Sequence, residues 1–338
     1  ALGPSFGRGA MTNHWVDIKN ADCILVIGAN PVANHVVAAR WIEVAKEKGA
    51  KLIVCDPRFT RSAAIADLYI RHRAGTDIAL IGWVINYCLE NKLYHEEYVR
   101  EYSNAPFLIK PEFSFNDGLF SGYDSAKQAY DSTSWDYQKE GDTTKKDMTL
   151  TDPNCVFQLL KKHFSRYTTK AVSNITGVPV DELIKLAKMY CKTGKPDQTG
   201  TILYAMGATQ HTVGTQYIRG YAILQLLLGN MGRPGGGINA MRGESNVQGS
   251  TDMALLFHLL PGYLGIPNAK LHPTLKDYIE KETPKTSYWS NKPKFLISML
   301  KAWWGEKATK ENDFCYDYLP KIGSGYKNGG YSWIALFE

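Results

Sequence analysis

The chain has 338 residues, 44% of them hydrophobic and 21% charged, which suits about two globular domains with a sizeable core. Its formal net charge is +6, but the basic residues are dispersed. That speaks against nucleic acid as a partner and leaves the surplus to hold an anionic cofactor. No apolar run reaches the roughly 18 residues of a membrane span, and nothing at the start reads as a signal peptide.

In chain order, "ADCILVIG" (21–28) is an apolar run closing on glycine, which predicts a buried parallel strand. "VVAARWIEVAKEKG" (36–49) has helical periodicity and stops on Lys48-Gly49. "AKLIVCDP" (50–57) and "DLYIRH" (67–72) predict two more strands, and "DIALIGWVINYCLENK" (77–92) an amphipathic helix with Asp77 in its first turn. This alternation implies a parallel sheet with crossover helices. Residues 103–150 are polar and rich in Tyr and Phe, which predicts a long surface excursion. Helices are expected at 154–167 and 179–194, a buried strand at 199–207, and a long helix at about 213–229. The segment 287–305 reads as helical in part.

Ligands of open parallel sheets sit at the carboxyl ends of the strands. The first such end reads "GANPVANH", where Gly28 permits a tight turn and Asn30 offers both donor and acceptor. The second reads "DPRFTRS": Asp56 can accept from ribose hydroxyls or guanine N–H groups, and Arg58 and Arg61 can meet a pyrophosphate. Gly75 and Asp77 form another glycine-plus-acid pair, just before a helix N-terminus suited to anions. Each feature alone has an ordinary structural reading, and the GxGxxG fingerprint is absent. Together at strand ends they point to a nucleotide-like ligand.

Between Gly229 and Gly249 stand seven glycines in 21 residues, with Arg242 among small and amide-bearing neighbours. The glycines are expected to admit a ligand close to the backbone, with Asn239, Asn246 and Gln248 offering amides. Arg242 is expected to grip a carboxylate or phosphate with its planar fork. The six cysteines lie at least 24 residues apart, with no cluster or zinc spacing. Cys23, Cys55 and Cys88 read as core, and no metal site is expected within the chain.

"FGRGAMTNHWVDIKNAD", "GANPVANH", "KLIVCDPRFTR", "YAMGATQHTVG", "LLLGNMGRPGGGINAMRGESNVQGSTD" and "PGYLG" together resemble the catalytic alpha subunit of molybdenum- or tungsten-dependent formate dehydrogenase, of the dimethyl sulfoxide reductase superfamily. The likeness is greatest to the periplasmic, respiratory, selenocysteine-containing type, and weakest over 103–150 and after 265. The resemblance implies an α/β fold of open parallel-sheet, dinucleotide-binding-like domains of the molybdopterin oxidoreductase type. Residues 1–241 would form one such domain, with 103–150 as an insertion, and 242–338 part of a second, discontinuous one. It implies a Mo or W ion on two molybdopterin guanine dinucleotides. Gly28, Asn30, Pro31 and His35 would lie along one of these, and Asp56, Pro57, Arg58, Gly75 and Asp77 at its guanosine and phosphate end. Met206, Gly207, Gln210 and Gly243 would approach the pterins. Arg242 would hold formate, and His211 would exclude water or relay a proton.

The family pattern also carries a 4Fe-4S motif and a selenocysteine or cysteine metal ligand upstream of the first residue, and a barrel domain downstream of the last. The isolated chain is therefore expected to be inactive. Formate would be the substrate. An iron–sulfur beta subunit, with a membrane cytochrome or soluble cytochrome c, would take the electrons in anaerobic respiration. Two other readings remain open: a nitrate or polysulfide reductase type of the same superfamily, and a non-catalytic nucleotide-binding module.

Overall fold

The computed structural model describes residues 2–7, 9–116, 118–244, 246–255, 258–285 and 288–323. It contains two compact units, Ala1–Gly243 and Glu244–Glu338. The first is built on five parallel strands: β1 (Cys23–Ile27), β2 (Lys51–Cys55), β3 (Leu68–Ile70), β4 (Gly200–Tyr204) and β5 (Ile238–Ala240). Their order across the sheet is 5-4-1-2-3. The apolar strand runs exist because both faces are covered. Leu25, Ile27, Ile53 and Ile202 pack under helices α1 (Asp77–Glu90), α2 (Val180–Tyr190) and α3 (Gly214–Leu227). Ile24, Val26, Leu52 and Val54 alternate with them and pack on the other face, against Ile42 and Ala45 of the helix Val36–Glu47.

The helix after β1 thus covers one face, and the helix after β4 covers the opposite face. β1 and β4 are neighbours, so the chain leaves them in opposite directions. That is a topological switch point, the place where open sheets of this kind accept ligands.

The excursion at 103–150 forms three two-residue hairpins with most of their residues exposed. Its aromatic residues pack on one another: Phe120 meets Phe115 at 4.7 Å and Trp135 at 5.2 Å between ring centres. All six cysteines are free and buried. Burial pushes the Cys23 and Cys55 thiols far up, which leaves them inert as nucleophiles.

Gly236 and Gly237 of the glycine-rich stretch have a different role from the one expected. A Cβ on Gly236 would lie 1.9 Å from Asn230 O, and one on Gly237 would lie 2.0 Å from Asn13 Oδ1. These glycines admit the protein's own chain, not a ligand. Asn239 is likewise buried inside β5 and donates to Thr201 Oγ1 at 2.8 Å across the strand pair, so its amide serves the sheet.

Asn230 and Gln225 lock this stretch to the sheet. Asn230 accepts from Gly200 N and donates to Thr193 Oγ1 and Gln225 Oε1, all at 3.0 Å, and is fully buried. Gln225 donates to Gly200 O at 2.8 Å and to Gly237 O at 2.6 Å. Asn230→Ala orphans several buried partners at once, and we expect a loss of about 2–4 kcal/mol. The check is a thermal melt, in which a fall of about 5–12 °C is expected. A Tm within a degree of wild type would show that the network contributes little.

The second unit is mostly helical. Leu275–Glu282, started by a Thr274/Asp277 capping box, and Lys292–Trp304 enclose a core of Leu260, Leu275, Tyr278, Leu296, Leu300 and Tyr316. Its strand content among the described residues is one two-residue hairpin, Leu259–Leu260 with Leu264–Gly265, and a bridge at Asn268. Ser287, at the start of the helical stretch expected there, lies outside the described residues.

Candidate dinucleotide-binding edge

Because all five strands are parallel, their carboxyl ends share one edge of the sheet. Most candidate residues follow the strand ends at this edge, whereas Asn239 lies inside β5, and Asn246 and Gln248 lie at the start of a short helix of the second unit. Gly28, Asn30, Pro31 and His35 follow β1; Asp56, Pro57 and Arg58 follow β2; Gly75 and Asp77 follow β3. Met206, Gly207, Gln210 and His211 follow β4, and Arg242 and Gly243 follow β5.

The loops after β1 and β4 touch at two glycines. Gly28 has φ +61°, and a Cβ there would lie 2.4 Å from Ala208 N; one on Gly207 would lie 2.7 Å from Gly28 O. This contact forms the floor of the switch point. On one side of it, Asn30 Oδ1 accepts from Ser62 Oγ at 2.8 Å, while Ser62 Oγ accepts from Val32 N at 3.2 Å. Ser62 thereby ties the β1 and β2 loops together.

Asp56 Oδ1 accepts from Arg58 N at 2.8 Å, and Tyr69 OH donates to Asp56 O at 2.9 Å. These bonds fix the carboxylate, and its Oδ2 has no protein donor among the described residues. Arg58, Arg61 and Arg71 are exposed, with no ion pair among the described residues. Gly75 stands at φ +82° with open space where a Cβ would be, and its carbonyl accepts from Tyr217 OH at 2.8 Å. Asp77 is 3% exposed and turned toward His72, Nε2 to Oδ1 3.4 Å. The buried His72 Nδ1 has no partner among the described residues. Asp77 therefore backs the loop from below rather than presenting an open carboxylate.

At the other end, His211 Nε2 lies 2.8 Å from Gly207 O, and His35 Nε2 lies 2.7 Å from Arg242 O. A carbonyl can only accept, so both Nε2 atoms carry the proton and each Nδ1 is left as an acceptor in the neutral ring. His35 also stacks on Trp15 at 5.3 Å. The Arg242 guanidinium donates to Gly9 O through one terminal nitrogen. Tyr204, at the end of β4, is pushed up to about 12 by burial, and the Arg242 charge moderates that shift. Arg242 is thus held at both its backbone and its side chain.

Ser62, Tyr217 and Trp15 were not singled out from the sequence. A lone serine, tyrosine or tryptophan carries no pattern; their roles arise from contacts between distant segments.

An all-parallel sheet with this order and these loops defines an α/β domain of the dinucleotide-binding type. The chain belongs to the molybdopterin oxidoreductase family, which it matches over residues 3–312. It is 51% identical over 332 residues to "Formate dehydrogenase 2 subunit alpha (cytochrome c-553)" of Nitratidesulfovibrio vulgaris, covering 96% of this chain and 33% of that protein. It is 52% identical over 334 residues to "Formate dehydrogenase, nitrate-inducible, major subunit" of Escherichia coli, with coverage of 96% and 33%. It is 48% identical over 345 residues to "Formate dehydrogenase subunit alpha" of Megalodesulfovibrio gigas, with coverage of 100% and 33%. The chain thus spans about a third of the length of these curated relatives.

The residues present fit the cofactor that this family implies. Three guanidiniums with no ion pair among the described residues suit an anionic group, a fixed carboxylate with an open oxygen can accept from a donor, and an open glycine precedes a 14-residue helix N-terminus. Exposed Met206, Phe59, Val36 and Val37 add apolar surface in the segments that follow β4, β2 and β1.

Proposed function

We propose that this chain supplies a molybdopterin-guanine-dinucleotide grip and the substrate arginine of a formate-oxidising catalytic subunit. Asp56 and Arg58 would hold the guanosine and phosphate end, with Arg61 beside them. Gly28, Asn30, Pro31 and His35 would follow the dinucleotide along the β1 loop, and Met206, Gly207, Gln210 and Gly243 would face the pterins. The bound Mo or W centre supplies a two-electron sink for the conversion of formate to carbon dioxide. The protein's part is orientation. Arg242 takes both formate oxygens in its fork, which fixes where the C–H bond points. His35 keeps the Arg242 backbone in place, and His211 Nδ1 is left to accept a proton or order a water.

The observation that carries this reading is Arg242, anchored by Gly9 and His35 at the edge where the five strand ends meet. The similarity to formate dehydrogenase subunits supports formate over nitrate or polysulfide as substrate. A 4Fe-4S cluster, an iron–sulfur beta subunit and a cytochrome as electron acceptor are part of the same proposal, as is a periplasmic location. Among the described residues no helix is long and apolar enough to cross a membrane.

The test is a pair of measurements on the holoenzyme, metal per protein and dye-linked formate oxidation. In Asp56→Ala, metal content should fall and activity should fall in proportion, leaving turnover per bound metal within about twofold of wild type. A drop in turnover per metal beyond about tenfold would move Asp56 from cofactor binding to chemistry. Reduction of nitrate without formate oxidation by wild type would favour the nitrate reductase type instead.

A further inference from the structure

At the opposite, amino edge of the sheet, the turn after α1 and the segment between α2 and β4 border an open cleft of about 460 Å³, whose lysines are exposed. The 14 residues of α1 place it about 20 Å from the Asp77 end of that helix. Four lysines line it, Lys92, Lys188, Lys192 and Lys195, and no carboxylate does. Tyr87 and Leu93 supply apolar wall, and Asn91 an amide. The two walls are pressed together: a Cβ on Gly194 would lie 2.0 Å from Leu93 O. Cys191 at the cavity, a free thiol, is in hydrogen-bond contact with the Cys88 thiol of α1 behind it.

The lysines have no evident structural task. Both helices end beside the cavity, where lysines often bond the last carbonyls. None of these four ammonium groups makes such a bond, and none has an ion pair, among the described residues. Their neighbour Lys185, by contrast, is paired with Asp181 at 3.0 Å. Lys92 also holds φ +53° at the end of α1, where glycine or asparagine is favoured. Four like charges around one cavity repel one another, and an anion with several charges relieves that repulsion.

We infer that this cavity binds a small molecule carrying two or more linked phosphates. Lysines bind phosphates as mobile point charges, and the volume lies in the range of small-ligand sites, about 300–1,000 Å³. An acidic polypeptide would ask for an extended surface rather than a cleft between two closely packed turns. The inference is independent of the proposed chemistry, since it uses the other edge of the sheet.

The test is calorimetry on the full-length protein with its cofactors in place, using inorganic pyrophosphate, ATP and a glutamate hexapeptide as separate titrants. Pyrophosphate or ATP should bind with micromolar Kd at low ionic strength, and at least about tenfold more weakly in high salt. Tighter binding of ATP would identify a nucleotide, and equal binding the phosphates alone; both support the inference. Lys188→Glu/Lys192→Glu should weaken binding at least about 30-fold, and the milder Lys188→Gln/Lys192→Gln should weaken it by less. Lys185→Glu should leave it unchanged. Millimolar or absent binding of both phosphate compounds would overturn the inference. So would wild-type binding in the Lys188→Glu/Lys192→Glu variant, or tighter binding of the hexapeptide than of either phosphate compound.

Discussion

Arg242→Lys should lose formate turnover by about 30- to 1000-fold while bound metal and pterin stay near wild-type levels. The range corresponds to roughly 2–4 kcal/mol, the worth of a charge-assisted donor pair aimed at a reacting carboxylate. Lysine keeps the charge but not the fork. In the structure one terminal nitrogen of Arg242 is engaged with Gly9 O. The rest of the planar group therefore has a set orientation toward a substrate. A lysine offers a single ammonium to share between Gly9 and formate, so the oxygens lose two-point contact and the C–H direction is no longer fixed. On the proposed reading the cofactor grip lies on Gly28, Asp56 and Arg58 in the loops after β1 and β2, so it should survive. Formate kinetics beside metal analysis separate the outcomes. Wild-type kcat/KM, or a loss of metal matching the loss of activity, would make Arg242 a structural residue and remove the core of the proposed function.

What was legible in the sequence depended on how local its cause was. Four strands could be read directly, because a buried parallel strand must be apolar on both faces and must end in a residue that turns. "ADCILVIG", "AKLIVCDP" and "TGTILYAMG" meet that condition, "DLYIRH" is a shorter, half-buried edge strand, and the structure contains β1 to β4 within the four. β5 was not legible. It is three residues long, follows three consecutive glycines and carries Asn239 in its middle, which is tolerable only because Thr201 accepts its amide from the adjacent strand. The glycines before it resembled a ligand loop because bare backbone looks the same in sequence whether a ligand or Asn230 and Asn13 lie against it. The helix Thr169–Thr176 was missed despite a Thr168 N-cap and Gly177 at φ +75°, since its many β-branched residues are weak helix formers. At the site, the strand-end residues could be proposed from position alone, whereas the Asn30–Ser62 and Tyr217–Gly75 bonds required the fold.

The two positive-φ glycines of the binding edge should respond very differently to alanine. Gly75→Ala carries only the strain of a side chain at φ +82°, about 1–2 kcal/mol, because nothing lies within 4 Å of the added Cβ. Gly28→Ala carries similar strain at φ +61° and a collision as well: three backbone atoms of Gly207 and Ala208 lie 2.4–2.9 Å from the added carbon. Backbone cannot rotate aside as a side chain can, so the β1 and β4 loops must separate. Both loops are anchored, by Ser62 on one side and by the 2.7 Å bond from Met241 N to Tyr204 O beside the other, which limits that relaxation. We expect Gly28→Ala to cost more than about 4 kcal/mol, in the range reserved for a named steric or cavity defect. Any protein that still folds should bind little cofactor, because the floor of the switch point has moved. Denaturant midpoints and metal content for the two variants decide the matter. Similar, modest losses in both would mean that positive φ alone selects glycine at position 28, and that the loops are free to part without loss of the site.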